Sequence, residues 1–512
     1  MSRLALLSVS DKTGIVELAQ QLLKFKFEII SSGGTAKTLR DAGISVTKVS
    51  DYTGSPEILG GRVKTLHPRI HGGILARQDL PEDIKDLEAN NIRTFDLVVV
   101  NLYPFEQTIA QPNVSVSEAI EKIDIGGPTL IRAAAKNFKY LTVLSNPSQY
   151  DRYISEYQSK GEVSLEFRQQ MAGLAFAHTN SYDRAISAYF ANLDRSEDLG
   201  DSYSISGTKI QSLRYGENPH QPAAWYQTGT VASGWAAANK LQGKELSYNN
   251  LVDLEAARRI IAEFDVKEPA AAVLKHTNPC GAAVGSSLVQ AYQKAFNADS
   301  VSAFGGIVAL NQPIDAETAR ALTETFLECV VAPGCDEEAQ AILQAKSKLR
   351  ILLLPDLATG QPETIKAIAG GFLVQKSDDR IENPDEWQIV TQTQPTPAQI
   401  AEMLFAQKLV KHVKSNAILV SRDRTTLGIG AGQMNRVGAV KIALEQAGEK
   451  AQGGVLASDG FFPFDDSVRT AAAAGISAII QPGGSIRDRD SIAAADELGI
   501  VMVLSKIRHF LH

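Results

Sequence analysis

The sequence predicts an α/β protein made of at least two domains, and three observations carry that expectation. Short apolar runs alternate with amphipathic stretches along most of the chain. Runs that are apolar on both faces belong to parallel sheets covered by helices, and alternation of strand with helix makes a layered α/β fold. The length, 512 residues, exceeds what one hydrophobic core normally serves. The texture also changes after a polar, acidic stretch with Ser and Gly, 195-RSEDLGDSYS-204, which is the best linker candidate and sets expected domains at 1–197 and 200–512.

In the first domain, strands are expected at 3–9 (RLALLSV), 27–31 (FEIIS), 95–103 (FDLVVVNLY) and 140–145 (YLTVLS). Helical patterns intervene at 14–25, 35–43 and 117–123, and a long one at 164–193 closes the domain. The second domain opens on 209-KIQSLRYGENPHQPAAWY-226 and then resumes the alternation. The polar stretch 381–399, with three prolines and three threonines, interrupts it and divides the domain into two lobes. No short-period repeat and no low-complexity tail is visible.

A formal net charge of −7 and a pI of about 5.7 argue against a polyanion-binding surface, and so against nucleic acid. Small anions can still be held locally by helix ends and a few cations. Three cysteines, Cys280, Cys329 and Cys335, in a large chain whose start is too short and too soon charged for a secretory signal, predict a reduced, cytoplasmic setting. No apolar run reaches membrane-spanning length.

Two turns in the first domain put hydroxyls, N–H groups and a lysine where a helix begins beyond a strand: SVSDKTGI, at 8–15, and IISSGGTAKTL, at 29–39. Such places bind phosphate in α/β folds, although ordinary capping and a tight turn read equally well for either loop alone. In 60-GGRVKTLHPRIHGGIL-75, cations crowd between glycines. His67 and His71 have the i, i+4 spacing of a helical metal pair, but Pro68 and the lack of a third ligand speak against zinc. NLYPF ends a buried strand in Asn101 and Tyr103, and in IDIGGPTLIRAAAKN Asp124 precedes a Gly-Gly-Pro helix start. On that helix Arg132 and Lys136 share a face. Together Lys64, Tyr103, Asp124 and Lys136 supply two cations, a phenol and a carboxylate, a set suited to moving protons around a carbonyl.

In the second domain, 273-VLKHTNPCG-281 delivers Lys275 and His276 at the end of an apolar run. Neighbouring residues on a strand face opposite ways, so the two share a site only if the strand ends there, and the turn Thr277-Asn278-Pro279 is expected to end it. The pair could be catalytic, His276 could ligate a metal with Cys280, or the stretch could be a plain strand end. A zinc nucleobase deaminase would show His-x-Glu and Pro-Cys-x-x-Cys, and neither is present. The glycines of 428-GIGAGQ-433 lack dinucleotide-fingerprint spacing and read as a hairpin-to-helix passage, and Phe461, Phe462 and Phe464 read mainly as core.

The motifs SVSDKTG, SSGGTAKTL, GRVKTLHPRIHGG, NLYPF and IDIGGPTLIRAAAKN, followed by LRYGENPHQ, KHTNPCG, DSVSAFGG, SNAI, GIGAGQMNRV, SDGFFPFDDSV and RHF, resemble a known family over essentially the whole chain. It is the family of bifunctional purine-biosynthesis enzymes with AICAR formyltransferase and IMP cyclohydrolase activities. The resemblance implies an N-terminal methylglyoxal-synthase-like parallel-sheet domain that cyclises FAICAR to IMP with loss of water. It also implies a C-terminal, two-lobed, cytidine-deaminase-like α/β domain without zinc, which moves a formyl group from 10-formyltetrahydrofolate to AICAR. Carried onto matching positions, it assigns ring closure to Lys64, Tyr103, Asp124 and Lys136. The 5′-phosphate falls to Ser10, Lys12, Thr13, Gly14, Ser32, Gly33 and Thr35, with Arg62, Thr65, Asn101, Gly126 and Gly127 as further substrate contacts.

For formyl transfer it assigns Lys275, His276 and Asn416, the last as hydrogen-bond partner of the formyl oxygen. Arg214 and Arg508 are implied phosphate clamps, and Tyr215, Asn250, Phe304, Gly305, Glu328 and Phe461 further substrate contacts. Arg436, Val437, Pro463, Phe464 and Asp466 are implied folate contacts. It further implies a cytoplasmic homodimer with small-molecule substrates and no nucleic-acid or membrane partner. No metal is needed for the chemistry, with room left for a monovalent cation. The rival readings are a formyltransferase whose first domain is a regulatory metabolite-binding module, and a zinc deaminase.

Overall fold

The computed structural model describes residues 3–111, 113–193, 199, 203–229 and 231–512, so most of the linker expected at 195–204 lies outside the described residues. The chain forms two compact units, Met1–Gly207 with Thr228–Val231, and Thr208–Gln227 with Ala232–His512.

The first unit is a five-stranded sheet of β1 (Arg3–Val9), β2 (Phe27–Ser31), β3 (Thr47–Lys48), β4 (Leu97–Asn101) and β5 (Thr142–Leu144) in the order β3-β2-β1-β4-β5. Every pairing is parallel. The apolar runs found β1, β2, β4 and β5 because both faces are largely buried, β4 at all five positions, whereas the exposed two-residue β3 has no such run. It is shorter than the expected 95–103, since the Phe95 N–H leaves the ladder for the Gly73 carbonyl at 3.0 Å. Helices occur at Ile15–Lys24, Gly33–Asp41, Val116–Glu121 and Leu165–Leu193, where the periodicity placed them. From β1 the chain goes first to β2 and β3 on one side, then to β4 and β5 on the other. The strand ends of β1 and β4 therefore flank the topological switch point, where open α/β sheets bind ligands.

In the second unit, β6 (Thr208–Leu213) and β7 (Ala223–Gln227) form a separate hairpin. A twelve-stranded sheet takes up β8 (Asn239–Gln242), β9 (Ala270–Lys275), β10 (Asn278–Val284), β11 (Ile307–Leu310), β12 (Cys329–Ala332) and β13 (Arg350–Leu353). A second isolated hairpin, β14 (Glu363–Ile368) and β15 (Gly371–Lys376), precedes β16 (Gln388–Ile389), β17 (Ile418–Arg422), β18 (Thr425–Gly430), β19 (Val455–Ser458), β20 (Ala478–Gln481) and β21 (Val501–Leu504). The sheet order, β16-β21-β20-β19-β17-β18-β10-β9-β11-β12-β13-β8, is a structural repeat that the residues do not reveal. Outward from the central β10–β18 pair, each half runs hairpin, then three strands alternating with helices, then a short edge strand. The expected two lobes are thus two halves of one sheet, with a core drawing Leu274 and Ala282 from one half and Leu419 and Ala457 from the other.

The expected turn at Thr277-Asn278-Pro279 is corrected by the structure. The turn is His276-Thr277, with φ of 51° and 64°, and Asn278 already pairs with Lys275 as β10 begins. Pro279 sits inside the strand opposite Leu274, at a register shift that ends at Gly281. Proline is barred from a ladder only where its nitrogen should donate, and a bulge removes that demand. Two residues of positive φ make the turn that matches strand twist, which here is built without glycine. The other half repeats the device at Asp423-Arg424, with φ of 56° and 48°. Each tip meets the entry to the other half's first strand: Asn278 Oδ1 accepts from the Lys414 N–H at 3.4 Å, and Arg424 Nη1 donates to Glu268 at 2.6 Å.

Candidate active sites

In the first unit, the strand ends around the switch point open into a cleft of about 720 Å³ lined by Ser10, Lys12, Ser32, Gly33, Thr35, Arg62, Lys64, Thr65, Asn101, Tyr103, Asp124, Gly126 and Gly127. Asn101, the last residue of β4, accepts the N–H groups of Ser10 and Asp11 at 2.5 and 2.8 Å, locking the β1 loop to β4. Those two amides are therefore taken up within the protein. The helix Gly33–Asp41 has no side-chain cap at Ser32, so its first N–H groups are the better anion donors. Lys12 donates to Thr35 Oγ1 at 3.1 Å, and burial lowers its pKa, a position suited to an anion that restores its charge balance.

Asp124 caps this cleft from the start of the helix Gly126–Lys136. Its Oδ1 accepts the Gly127 N–H at 2.8 Å, and burial raises its pKa although N–H groups of Gly127, Tyr103 and Gly126 oppose that. A carboxylate made more basic by burial is a better proton acceptor. The Tyr182 hydroxyl accepts the Asp124 N–H at 2.7 Å and donates to the Lys122 carbonyl at 3.0 Å, bracing the turn. Lys64 reaches across the cleft: a Cβ on Gly33, where φ is +50°, would lie 3.1 Å from its Nζ. Glu57 pairs with that Nζ at 3.4 Å, and Arg62 pairs with Glu121. A Cβ on Gly127 would lie 2.5 Å from Asp124 Oδ2 and 2.6 Å from Leu102 Cδ2. Gly127→Ala is accordingly expected to lower stability by about 1–3 kcal/mol through overpacking, read as a lowered Tm.

In the second unit, the site is organised by the β9–β10 tip. Lys275 Nζ donates to the carbonyls of Phe304 and Gly305 at 3.2 and 3.0 Å, which draws it sideways off the strand end. The exposed His276 occupies the first position of the turn, with its backbone in left-handed geometry. Asp253, from the helix Tyr248–Ile261, accepts the Thr277 N–H at 2.7 Å and pins that turn, and burial raises its pKa. Asn416 follows a cis peptide from Ser415 and donates Nδ2 to the Gln433 carbonyl at 2.7 Å. An amide nitrogen carries two hydrogens, so one remains for a ligand. Beneath it the buried Asp459 accepts from Ser415 Oγ at 2.5 Å, from the Ala417 N–H at 3.0 Å, and from Arg436. Breaking this buried pair with Arg436→Ala is expected to cost about 3–5 kcal/mol in urea unfolding of the second unit, because the Asp459 charge loses its cation.

A family model described as the AICARFT/IMPCHase bienzyme matches residues 134–446, and one described as an MGS-like domain matches residues 14–129. The "Bifunctional purine biosynthesis protein PurH" of Rippkaea orientalis is 73% identical, and its counterpart from Gloeothece citriformis 72%, each match covering 100% of both chains. The chain belongs to the AICARFT/IMPCHase bienzyme family. That family joins AICAR formyltransferase to IMP cyclohydrolase in purine biosynthesis, with 10-formyltetrahydrofolate as formyl donor. The PurH of Synechocystis sp. is 70% identical with the same full coverage. Among solved structures, one described as "Crystal structure of ForH" is 37% identical, covers 37% of this chain and 97% of its own, and has a TM-score of 0.35.

Measured against the family's expected site residues, the bienzyme chain gathers some and disperses others. Lys136 is exposed at the far end of the helix that begins at Gly126, outside the cleft. Thr13 spends its N–H and hydroxyl on Asp11 at 2.9 and 2.7 Å, and Gly14, with φ of +68°, serves the helix start. Arg214 stacks over Tyr215 at 5.3 Å, by a groove of the β6–β7 hairpin that also holds Lys209 and His220. Arg508 lies over Phe510 at 4.3 Å. Asn250 is buried in a capping box with Ser247, Phe304 is 61% exposed, and Glu328 pairs with Arg350 at 2.7 Å.

Of the aromatic run read as core, only Phe462 is fully buried. Phe461 and Phe464 reach the surface, Phe464 beneath Arg487 at 5.0 Å. Val437 and Pro463 are half-buried, and Asp466 turns its carboxylate to the Ser467 N–H at 2.7 Å. The sequence reading missed Asp253, Ser415, Asp459 and Tyr182. Asp459 alone carried a signal, an acid set among the small and aromatic residues of SDGFFPF. Cys280 is buried in β10, and burial pushes its thiol up to about 12, which disfavours the thiolate a metal requires. Among the described residues no His/Cys/Asp/Glu group is arranged to hold a metal, and no helix is long and apolar enough to cross a membrane.

Proposed function

We propose that the first unit closes the purine ring and the second transfers the formyl group, each with the cluster described above. The observation that carries this reading is the gathering of a half-buried Asp124, its pKa raised, with Lys64 and Tyr103 in one cleft, and, in the other unit, the contact of the tip that carries Lys275 and His276 with Lys414, two residues before Asn416. For ring closure, Asp124 takes the proton of the attacking amide nitrogen, Lys64 stabilises the oxygen that becomes negative, and Tyr103 donates to the departing hydroxyl. Lys136, exposed outside this protomer's cleft, is kept as a candidate only through the family match. The substrate's 5′-phosphate sits at the uncapped helix start by Gly33, with Lys12, Ser10, Ser32 and Thr35 around it and Arg62 released from Glu121.

For formyl transfer, His276 removes the proton of the weakly nucleophilic AICAR amine. Lys275 steadies the oxyanion or supplies the leaving nitrogen's proton, and Asn416 donates its remaining amide hydrogen to the formyl oxygen. Arg214 and Arg508 serve the nucleotide phosphate, with Tyr215, Asn250, Phe304, Gly305, Glu328 and Phe461 bordering the substrate. A planar, polar folate fits Phe464, whose ring is 50% exposed, beside Pro463, Asp466, Val437 and Arg436, whose buried Nε has no partner. Proton transfer and hydrogen bonds suffice for both steps, so the reading requires no metal for the chemistry and leaves room for a monovalent cation. Exposed Leu174, Phe176 and Phe190 on the helix Leu165–Leu193 support a homodimer, and small-molecule substrates of purine biosynthesis are consistent with a cytoplasmic setting.

The test is a double dissociation in the full-length chain. AICAR with 10-formyltetrahydrofolate, and separately FAICAR, are supplied to variants of Asp124 and His276. Loss of both half-reactions from either variant would overturn the assignment of one chemistry to each unit.

A further inference from the structure

We propose that His509 is a positioning residue for formyl transfer: an imidazolium held between Asp378 and Glu382, it fastens the segment 505–511 to Ser415 and thereby sets the Asn416 amide. The inference rests on the reading of Asn416 given above. The His509 side chain is fully buried, with Nδ1 2.6 Å from Asp378 Oδ2 and Nε2 2.8 Å from Glu382 Oε1. An ionised carboxylate only accepts, so both ring nitrogens must donate, and only the doubly protonated ring does that. Glu382, itself 1% exposed at its side chain, has its other oxygen occupied by the Trp387 indole N–H at 3.0 Å. Asp378, 42% exposed at its side chain, can turn to water when the proton leaves, but Glu382 cannot.

The remaining charges around the clamp are accounted for. Lys411 Nζ lies 2.6 Å from Glu263 and 3.2 Å from the Arg380 carbonyl, and His412 Nε2 lies 3.0 Å from the same Glu263. Both act on Asp378 at longer range, and burial lowers the His412 pKa, so Lys411 is the second cation there. On the other side the His509 N–H donates to the Asp459 carbonyl at 3.0 Å, and the Asp459 carboxylate is held by Arg436.

From His509 the chain makes a two-way clasp on the residue before Asn416. The Ser415 N–H donates to the Leu511 carbonyl at 2.9 Å, and the Leu511 N–H donates to Ser415 Oγ at 3.0 Å. Arg508 and Phe510, on either side of His509, are carried by the same anchor. Burial alone would lower the His509 pKa, but the bonds from Asp378 and Glu382 outweigh it and raise the value to about 9. Because the folded value is raised, the clamp is complete below the pKa of a free imidazole and is lost as pH rises through about 9.

The experiment uses the full-length protein. Ring nitrogen NMR, with His509 assigned by its absence in His509→Gln, is expected to show both nitrogens protonated at neutral pH; a single neutral tautomer there overturns the proposal. In kinetics, the formyl-transfer kcat is expected to fall as pH rises through about 9. Asp378→Asn is expected to move that fall toward neutrality by on the order of one pH unit, since one of two opposite charges is gone, while ring closure in the same samples keeps the wild-type profile. A transfer profile unmoved by Asp378→Asn overturns the positioning role. Undiminished transfer by Asn416→Ala would instead remove the reading beneath it, without touching the NMR result.

Discussion

Replacing His276 by alanine is expected to reduce formyl transfer by about 10²–10⁴-fold, the usual contribution of a positioned acid–base group, while ring closure continues. The turn geometry makes the substitution informative. His276 and Thr277 hold φ of 51° and 64°, and the Thr277 N–H is tied to Asp253 at 2.7 Å, so the backbone tip persists when only the ring is removed. A gain in strain is nonetheless expected, because alanine adopts left-handed geometry less readily than the asparagine of an ordinary hairpin turn. His276→Asn is therefore the companion variant: it suits the turn and lacks the base. Lys275→Met should lose rate too under the proposed role, in which its ammonium, held by the Phe304 and Gly305 carbonyls, also serves the reacting oxygen. Transfer retained by both His276→Asn and Lys275→Met, measured with AICAR and 10-formyltetrahydrofolate at saturation, would remove the pair from the chemistry.

The second large effect is expected at Asp124. Asp124→Asn keeps the volume and one acceptor for the Gly127 N–H, so the helix start stays formed, yet an amide cannot take the proton of the attacking nitrogen. A loss of about 10²–10⁴-fold in conversion of FAICAR to IMP is expected, with formyl transfer unchanged. The pH dependence has a definite sign. Burial raises the Asp124 pKa, and the working form is the carboxylate, so ring closure should fall as pH drops through that raised value, at a higher pH than an exposed aspartate would give. A wild-type profile with no acidic limb above the ordinary aspartate range would contradict this role. Tyr182→Phe tests the brace separately, because the Asp124 N–H then loses its 2.7 Å partner while the carboxylate remains.

Four strands of the first unit were legible because they are largely apolar on both faces; the two-residue β3, Thr47–Lys48, is polar and exposed and left no such run, and the ends of β4 and β5 were overdrawn, at β4 where Phe95 and Tyr103 look like strand but bond elsewhere. Most of the first cleft could also be read, since Lys64, Asp124 and Asn101 are polar groups among apolar or glycine-rich neighbours. Lys136 could not be placed: periodicity fixes the face of a helix, not which end meets a cleft. The KHTNPCG tip was misread for a physical reason. Proline argues against a central strand unless a bulge excuses its missing donor, and a bulge has no signature in one sequence. Asp253 and Tyr182 were invisible because an acid on an amphipathic helix reads as a wet face and an aromatic as core. The repeat in the large sheet is one of element order and escapes any comparison of residues.

That repeat has a consequence for where the transferase chemistry resides. Both halves own a hairpin tip of left-handed residues, but one tip offers His276 beside Lys275 and the other Asp423 and Arg424, which Glu268 neutralises. The tip with proton-transfer groups leans on the strand entry of the opposite half, where Asn416 lies. On the proposed reading, neither half holds the whole reaction centre. The seam between them, at β10 and β18, is therefore the element that sets the Lys275–His276 tip against the strand entry carrying Asn416, and a slip of one residue there would part the two while leaving every helix and strand intact.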